Sequence, residues 1–170
     1  MSLSAVAGAG APGATAKSIW TVNHYVNDFG DKTEKGYITN VGFIAGSFSN
    51  SATQDSPLNV QFLIDKDMDA SIQLFEYAGN NPVKAYDYDS YSVNVKDRDG
   101  KALRLRGTNY KSNRLTIEKP DSKKLHDALL KGGKLQFMIR ESDSPTTVYN
   151  FTIDNADGYL DAREELRGVK

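Results

Sequence analysis

The chain has 170 residues, 21 basic and 22 acidic side chains, no cysteine, and 39% hydrophobic residues, enough for one globular domain with a real core and too little for two of ordinary size. A formal charge of -1 with the signs interspersed argues against the concentrated basic surface that phosphate backbones demand, so no nucleic-acid partner is expected. The absence of cysteine removes disulfide frameworks, thiolate-ligated metal centres and a thiol nucleophile, without fixing a compartment.

Residues 1–17 read as a flexible Ala/Gly-rich tail, with Ala14-Thr15-Ala16 in the small-x-small form of a signal cleavage site. Residues 18–170 read as a single β-rich domain. Its dominant signal is period-two alternation. Trp20, Val22, His24 and Val26 share one face of a first strand, and Tyr37, Thr39, Val41 and Phe43 share one face of a second running on toward Phe48. Gly42 and Gly46 in that second run predict a bulge or bend. Val60, Phe62 and Ile64 lead into the polar turn Asp65 to Asp69, and Ile72 and Leu74 return as the other arm of a hairpin. Tyr91, Val93 and Val95 lead through Asp97-Arg98-Asp99-Gly100 into Leu103 and Leu105 as another.

Leu115 and Ile117 form a short strand stopped by Pro120. A helix capped by Asp121 or Ser122 then runs to Gly132-Gly133, with Leu125, Ala128 and Leu129 on one face. Leu135 to Ile139 and Val148 to Ile153 flank a turn around Pro145, and a terminal helix runs from about Asp157 to Arg167. The fold expected is mainly β (α+β): an antiparallel β-sandwich or open barrel of about eight or nine strands with two short helices. No transmembrane segment is expected, because the longest charge-free stretch, residues 36–54, is interrupted by asparagines, serines and glycines.

Two constellations stand out as candidate sites. Asp65, Asp67, Asp69 and Glu76 occupy the first, third, fifth and twelfth places of a calcium-loop spacing, but Ala70 replaces the turn glycine and both flanks alternate like strands. They are the metal candidates, and apart from that calcium no cofactor is expected. The alternative for these residues is a solvated hairpin turn whose charges discourage edge association. Tyr86, Asp87, Tyr88, Asp89 and Tyr91 form the densest aromatic and acidic tract and are the ligand-binding candidates, since tyrosine offers flat contact area with a polar tip. The alternative is that alternate tyrosines cover a sheet face.

Other matches carry less. Residues 8–13 spell G-x-G-x-x-G without a strand or helix to give it meaning, and residues 153–164 resemble a calcium loop whose first ligand is an isoleucine. Asn150-Phe151-Thr152 fits the glycosylation string inside a strand. His24 and His126 are the available near-neutral bases; His24 is expected in the core or at its boundary, and His126 at a boundary. No nucleophile elbow, zinc-binding helix or P-loop is present, and no catalytic residue is singled out.

Several segments carry a resemblance. Trp20-Thr21-Val22, Tyr25 to Thr33, Gly46 to Thr53, Leu74-Phe75-Glu76-Tyr77, Leu130 to Lys134 and Tyr149 to Ile153 resemble small bacterial exported proteins and lipoproteins without an assigned function. The resemblance implies a location in the cell envelope, whether periplasmic, outer-membrane-associated or extracellular. It also implies a non-enzymatic accessory, structural or interaction role, with an envelope protein or a glycan as partner. This chain has no cysteine to lipidate. The other function expected is a carbohydrate- or peptide-binding module built on Tyr86 to Tyr91, with or without calcium.

Overall fold

A computed structural model describes residues 18–144 and 146–168, so expectations about the N-terminal tail and Pro145 itself fall outside the described residues. Ten strands and two helices follow in the order β1 (Trp20–Val26), β2 (Lys32–Asn40), β3 (Ile44–Ser49), β4 (Ser56–Asp65), β5 (Ala70–Glu76), β6 (Tyr88–Lys96), β7 (Ala102–Tyr110), β8 (Leu115–Ile117), α1 (Lys119–Lys131), β9 (Leu135–Glu141), β10 (Val148–Ile153) and α2 (Tyr159–Leu166). The chain is β-rich and antiparallel, as its alternation requires. Eight strands close into a barrel in the order β4-β3-β10-β9-β6-β7-β8-β5, with β5 pairing back onto β4, while β2 and β1 extend from β4 as a ribbon.

The β4–β5 and β6–β7 hairpins form where the turn residues predict them, with Ile64 opposite Ala70 and Lys96 opposite Ala102. The long second strand does not form as one piece. It breaks at Val41-Gly42-Phe43, where Gly42 takes φ +68°, a region open to glycine and costly for a side chain. Beyond the break Val41 and Phe43 face solvent, whereas Ile38 and Asn40 are buried. Of the face the pattern grouped, Thr39 is buried while Val41 and Phe43 are not. Both halves pair along the same edge of β4, β2 at Ile64 and β3 from Val60 to Ser56. At Gly46 a Cβ would collide with the Asn150 carbonyl, so glycine is what lets β3 approach β10.

Phe62, Phe137 and Phe151 meet inside the barrel, with Phe137 and Phe151 stacked at 4.7 Å. One barrel end is sealed by α1, α2 and the start of β1, where Trp20 Nε1 donates to the Ala156 carbonyl at 3.0 Å. Outward positions such as Lys96, Arg104, Arg106 and Gln136 are exposed and polar. This distribution is the reverse of a membrane barrel's apolar exterior, and no helix among the described residues is long and apolar enough to cross a membrane.

The first helix starts earlier than the capping residues suggested. It begins at Lys119 with Pro120 in its first turn, where a missing N–H costs little. Asp121 instead accepts the Arg106 backbone N–H at 2.8 Å. The helix ends at Gly132 and Gly133, both with positive φ, and α2 opens behind Asp157-Gly158, as the sequence indicated.

Asp97 ties α1 to the β6–β7 turn. Its Oδ1 accepts the backbone N–H groups of Asp99 and Lys101, both at 2.9 Å, and its Oδ2 accepts from Lys131 Nζ at 2.8 Å. The Lys131 bond holds the Asp97 carboxyl below the usual carboxylate range, against the opposing effect of burial. A folded-state pKa below the unfolded one gives stability that is present above the unfolded value and lost as pH falls through the folded value. Asp97→Asn should therefore cost about 1 kcal/mol at neutral pH, a charged hydrogen bond discounted for its half-exposed lysine. Urea unfolding at stepped pH should show that deficit shrinking toward acid; a constant deficit would assign it to the turn alone.

Candidate functional site

Strand alternation divides the tyrosine tract. Tyr86 is 88% exposed and, like Asp87, precedes β6; Tyr88 is 53% exposed and lies opposite Tyr110 of β7. Asp89 and Tyr91 have the other parity and turn into the barrel mouth, with Tyr91 only 3% exposed. The five residues predicted as one ligand surface are thus not one surface.

The four metal candidates are not brought together either. Asp65 Oδ1 accepts the backbone N–H groups of Asp67 and Asp69 at 2.9 and 3.0 Å, closing the turn on itself, and Asp69 meets Lys119 Nζ at 3.0 Å. Glu76 stands at the far end of β5, roughly 20 Å away along an extended strand, because residues that would curl back in a calcium loop here form a straight hairpin arm. No group of three or more His, Asp or Glu able to hold a metal occurs among the described residues.

The histidines move the other way. His24 is exposed, because β1 leaves the barrel after Val22, which corrects its expected core or boundary position. His126 is buried rather than at a boundary. Its Nδ1 lies 3.1 Å from Tyr159 Oη, and burial, with the Arg163 charge, lowers its pKa so that it favours the neutral form. Burial pushes the Tyr159 hydroxyl up to about 12. Neither histidine hydrogen-bonds to a carboxylate among the described residues, so no acid–base pair forms around them.

Two features escaped the sequence reading. The first is a polar layer at the barrel mouth, the end opposite the helices. Glu76 of β5, Asp89 and Tyr91 of β6, Glu141 of β9 and Tyr149 of β10 all have inward parity. Tyr91 and Glu141 are direct cross-strand partners. Tyr149 Oη donates to Glu76 Oε2 at 2.6 Å, a bond that spans the mouth between strands that are not neighbours in the sheet. Burial raises the Glu141 pKa, and the negative charges of Asp89, Asp143 and Glu76 raise it further. Glu141 was readable as the next inward residue after Leu135, Phe137 and Ile139.

The second feature is a groove of about 640 Å³ on the outer face of β3, β10, β9 and β6. Register builds it in two rows across the strands: Ser47, Asn150, Met138 and Asn94 in one, Thr152, Gln136 and Lys96 in the other. At about 4.8 Å between strands the longer row spans roughly 14 Å, with the second row about 7 Å along the strands. The side-chain amides of Asn94, Gln136 and Asn150 make no hydrogen bond to any described residue. Gln136 and Asn150 are exposed and Asn94 is half-buried, and such amides normally spend that capacity on water.

No protein-family model, curated protein or solved structure matches the chain.

Proposed function

We propose that this barrel is a non-catalytic binding domain of the bacterial cell envelope, and that its ligand is an uncharged oligosaccharide lying across the β3–β10–β9–β6 face. The observation that carries the reading is the set of three unspent amides, Asn94, Gln136 and Asn150, aimed outward from neighbouring strands into one groove. Each amide offers two N–H donors and one carbonyl acceptor, a complement to neighbouring sugar hydroxyls. Met138, between Asn150 and Asn94 in the row, supplies an apolar spot for the C–H face of a ring.

A peptide suits this face less well. Extended peptides usually bind by adding a strand, which needs a free sheet edge, and the groove lies on strands whose backbone is already paired on both sides. The acidic turn takes no part in this reading, since Asp65 and Asp69 already hold backbone N–H groups and Lys119. The envelope location rests on the resemblance of the chain to small exported proteins and on Ala14-Thr15-Ala16. An accessory role on an envelope protein is the second reading, favoured by the exposed aromatic ribbon of Tyr25 and Phe29.

Calorimetric titration with a panel of neutral soluble oligosaccharides should find a ligand with a Kd on the order of 1 mM or tighter. Asn150→Ala combined with Gln136→Ala should weaken it about tenfold, two ordinary hydrogen bonds' worth. Both side chains face solvent, so the unfolding midpoint should move by no more than about 2 °C. A panel with no binder, or a binder indifferent to the double substitution, would count against the groove.

A further inference from the structure

At the barrel mouth the described residues leave a buried hydroxyl and its acidic neighbours unbalanced. Tyr91 is 3% exposed, and its hydroxyl has no hydrogen-bond partner among the described residues. A buried phenol normally finds one. That hydroxyl sits in the field of Glu141, Asp89 and Glu76, all three of which push its pKa upward beyond the effect of burial. Tyr149 is the partner of Glu76 alone. No lysine or arginine forms an ion pair with Glu76, Asp89 or Glu141 among the described residues. Among the described residues the mouth therefore holds several carboxylates and an unspent hydroxyl, and Glu76 has its side-chain partner there in Tyr149.

We propose that the mouth is a binding site for a primary ammonium group, held by the carboxylates of Glu141 and Asp89 and by the hydroxyl oxygen of Tyr91. An ammonium has three donors and no acceptor, which suits three acceptors of the same inward parity on the neighbouring strands β6 and β9. Its N···O distances of about 2.8 Å are looser than the 2.3–2.6 Å that calcium requires. The described residues offer no carboxylate cluster tight enough for a metal. The charges facing Glu141 are those of Asp89, Asp143 and Glu76, so at neutral pH repulsion is relieved when the ammonium enters and binding fades as Glu141 takes up its proton. The inference is independent of the groove, which lies on the outer wall.

The ammonium has two sources, a free alkyl diamine or a lysine side chain of a partner protein. The full chain would be titrated at about pH 7 and low salt with cadaverine and, separately, with a capped pentapeptide of glycines around one lysine, following backbone amide shifts by NMR. The expected result is saturable binding of at least one probe, with shifts centred on residues 89–91 and 141; the tighter probe identifies the source. Glu141→Gln should weaken binding about tenfold and Tyr91→Phe about threefold. Glu141→Gln also removes repulsion, so its unfolding midpoint should rise, which separates lost binding from lost folding. Asn150→Ala in the groove should leave the amine affinity unchanged. Absence of saturation by both probes up to about 10 mM, or equal affinity in Glu141→Gln, overturns the assignment.

Discussion

Truncating Phe62 to alanine should lower the free energy of unfolding by about 4 kcal/mol. The side chain is fully buried near the middle of β4, and it meets Trp20, Phe137 and Phe151 edge-on at 6.1, 5.6 and 5.9 Å. Alanine would lose the transfer free energy of the ring and leave a cavity that a closed barrel wall cannot collapse to fill. The aromatic contacts add about 0.5–1.5 kcal/mol each beyond buried area, within that total. Trp20 is the single tryptophan, so urea unfolding followed by its fluorescence reads the site directly. Phe62→Leu should cost roughly half as much. A loss below about 2 kcal/mol for alanine would mean that Trp20 swings into the space.

The same packing decides where a ligand can go. Phe62, Phe137 and Phe151 fill the barrel interior, so the lumen is core and cannot serve as a binding cavity. A ligand would therefore have to meet the molecule at its surface, on the outer wall, the mouth or the β1–β2 ribbon. The wall can carry a polar groove because the strands beneath it are held by an apolar layer on their other face: Asn150 and Thr152 project outward because Tyr149, Phe151 and Ile153 project inward.

This coupling also sets how much of the molecule was legible in the sequence. The β4–β5 and β6–β7 hairpins were readable because alternation and turn chemistry are local, and Asp97 through Gly100 announce the reversal. The pairing of β3 with β10 was not, since it depends on Gly46 lying under Asn150 across some hundred residues of chain. The tyrosine tract was visible as composition, yet only the register of β6 reveals that Tyr91 turns in while Tyr88 turns out. Asn94, Gln136 and Asn150 are unremarkable one at a time. They line one groove only because β10, β9 and β6 are neighbours, a fact of topology rather than of any local pattern.

Asn40→Ala should cost about 3–4 kcal/mol, the second large effect and one that alternation alone would not flag. Asn40 sits 3% exposed at the end of β2, where the strand is about to leave β4. Its Oδ1 accepts the Phe62 backbone N–H at 2.8 Å, while its Nδ2 donates to the carbonyls of Val60 at 3.2 Å and Gly42 at 2.6 Å. The side chain thus completes the ladder across the gap between β2 and β3. Alanine would leave the buried Phe62 N–H and Val60 carbonyl without partners, the costly case of an unmade hydrogen bond. Hydrogen exchange should show the Phe62 amide losing protection more than the β6–β7 ladder does. Asn40→Asp supplies a sharper test. The acceptor for Phe62 N–H remains, but an ionised oxygen now faces two carbonyls, so the aspartate's folded-state pKa is raised above its unfolded value. Stability is then present below the unfolded pKa and lost as pH rises through the folded one. Relative to the parent chain, the variant should be close to full stability in mild acid and weakened at neutral pH. A deficit independent of pH would mean that the side chain has turned away and that the junction is held by backbone alone.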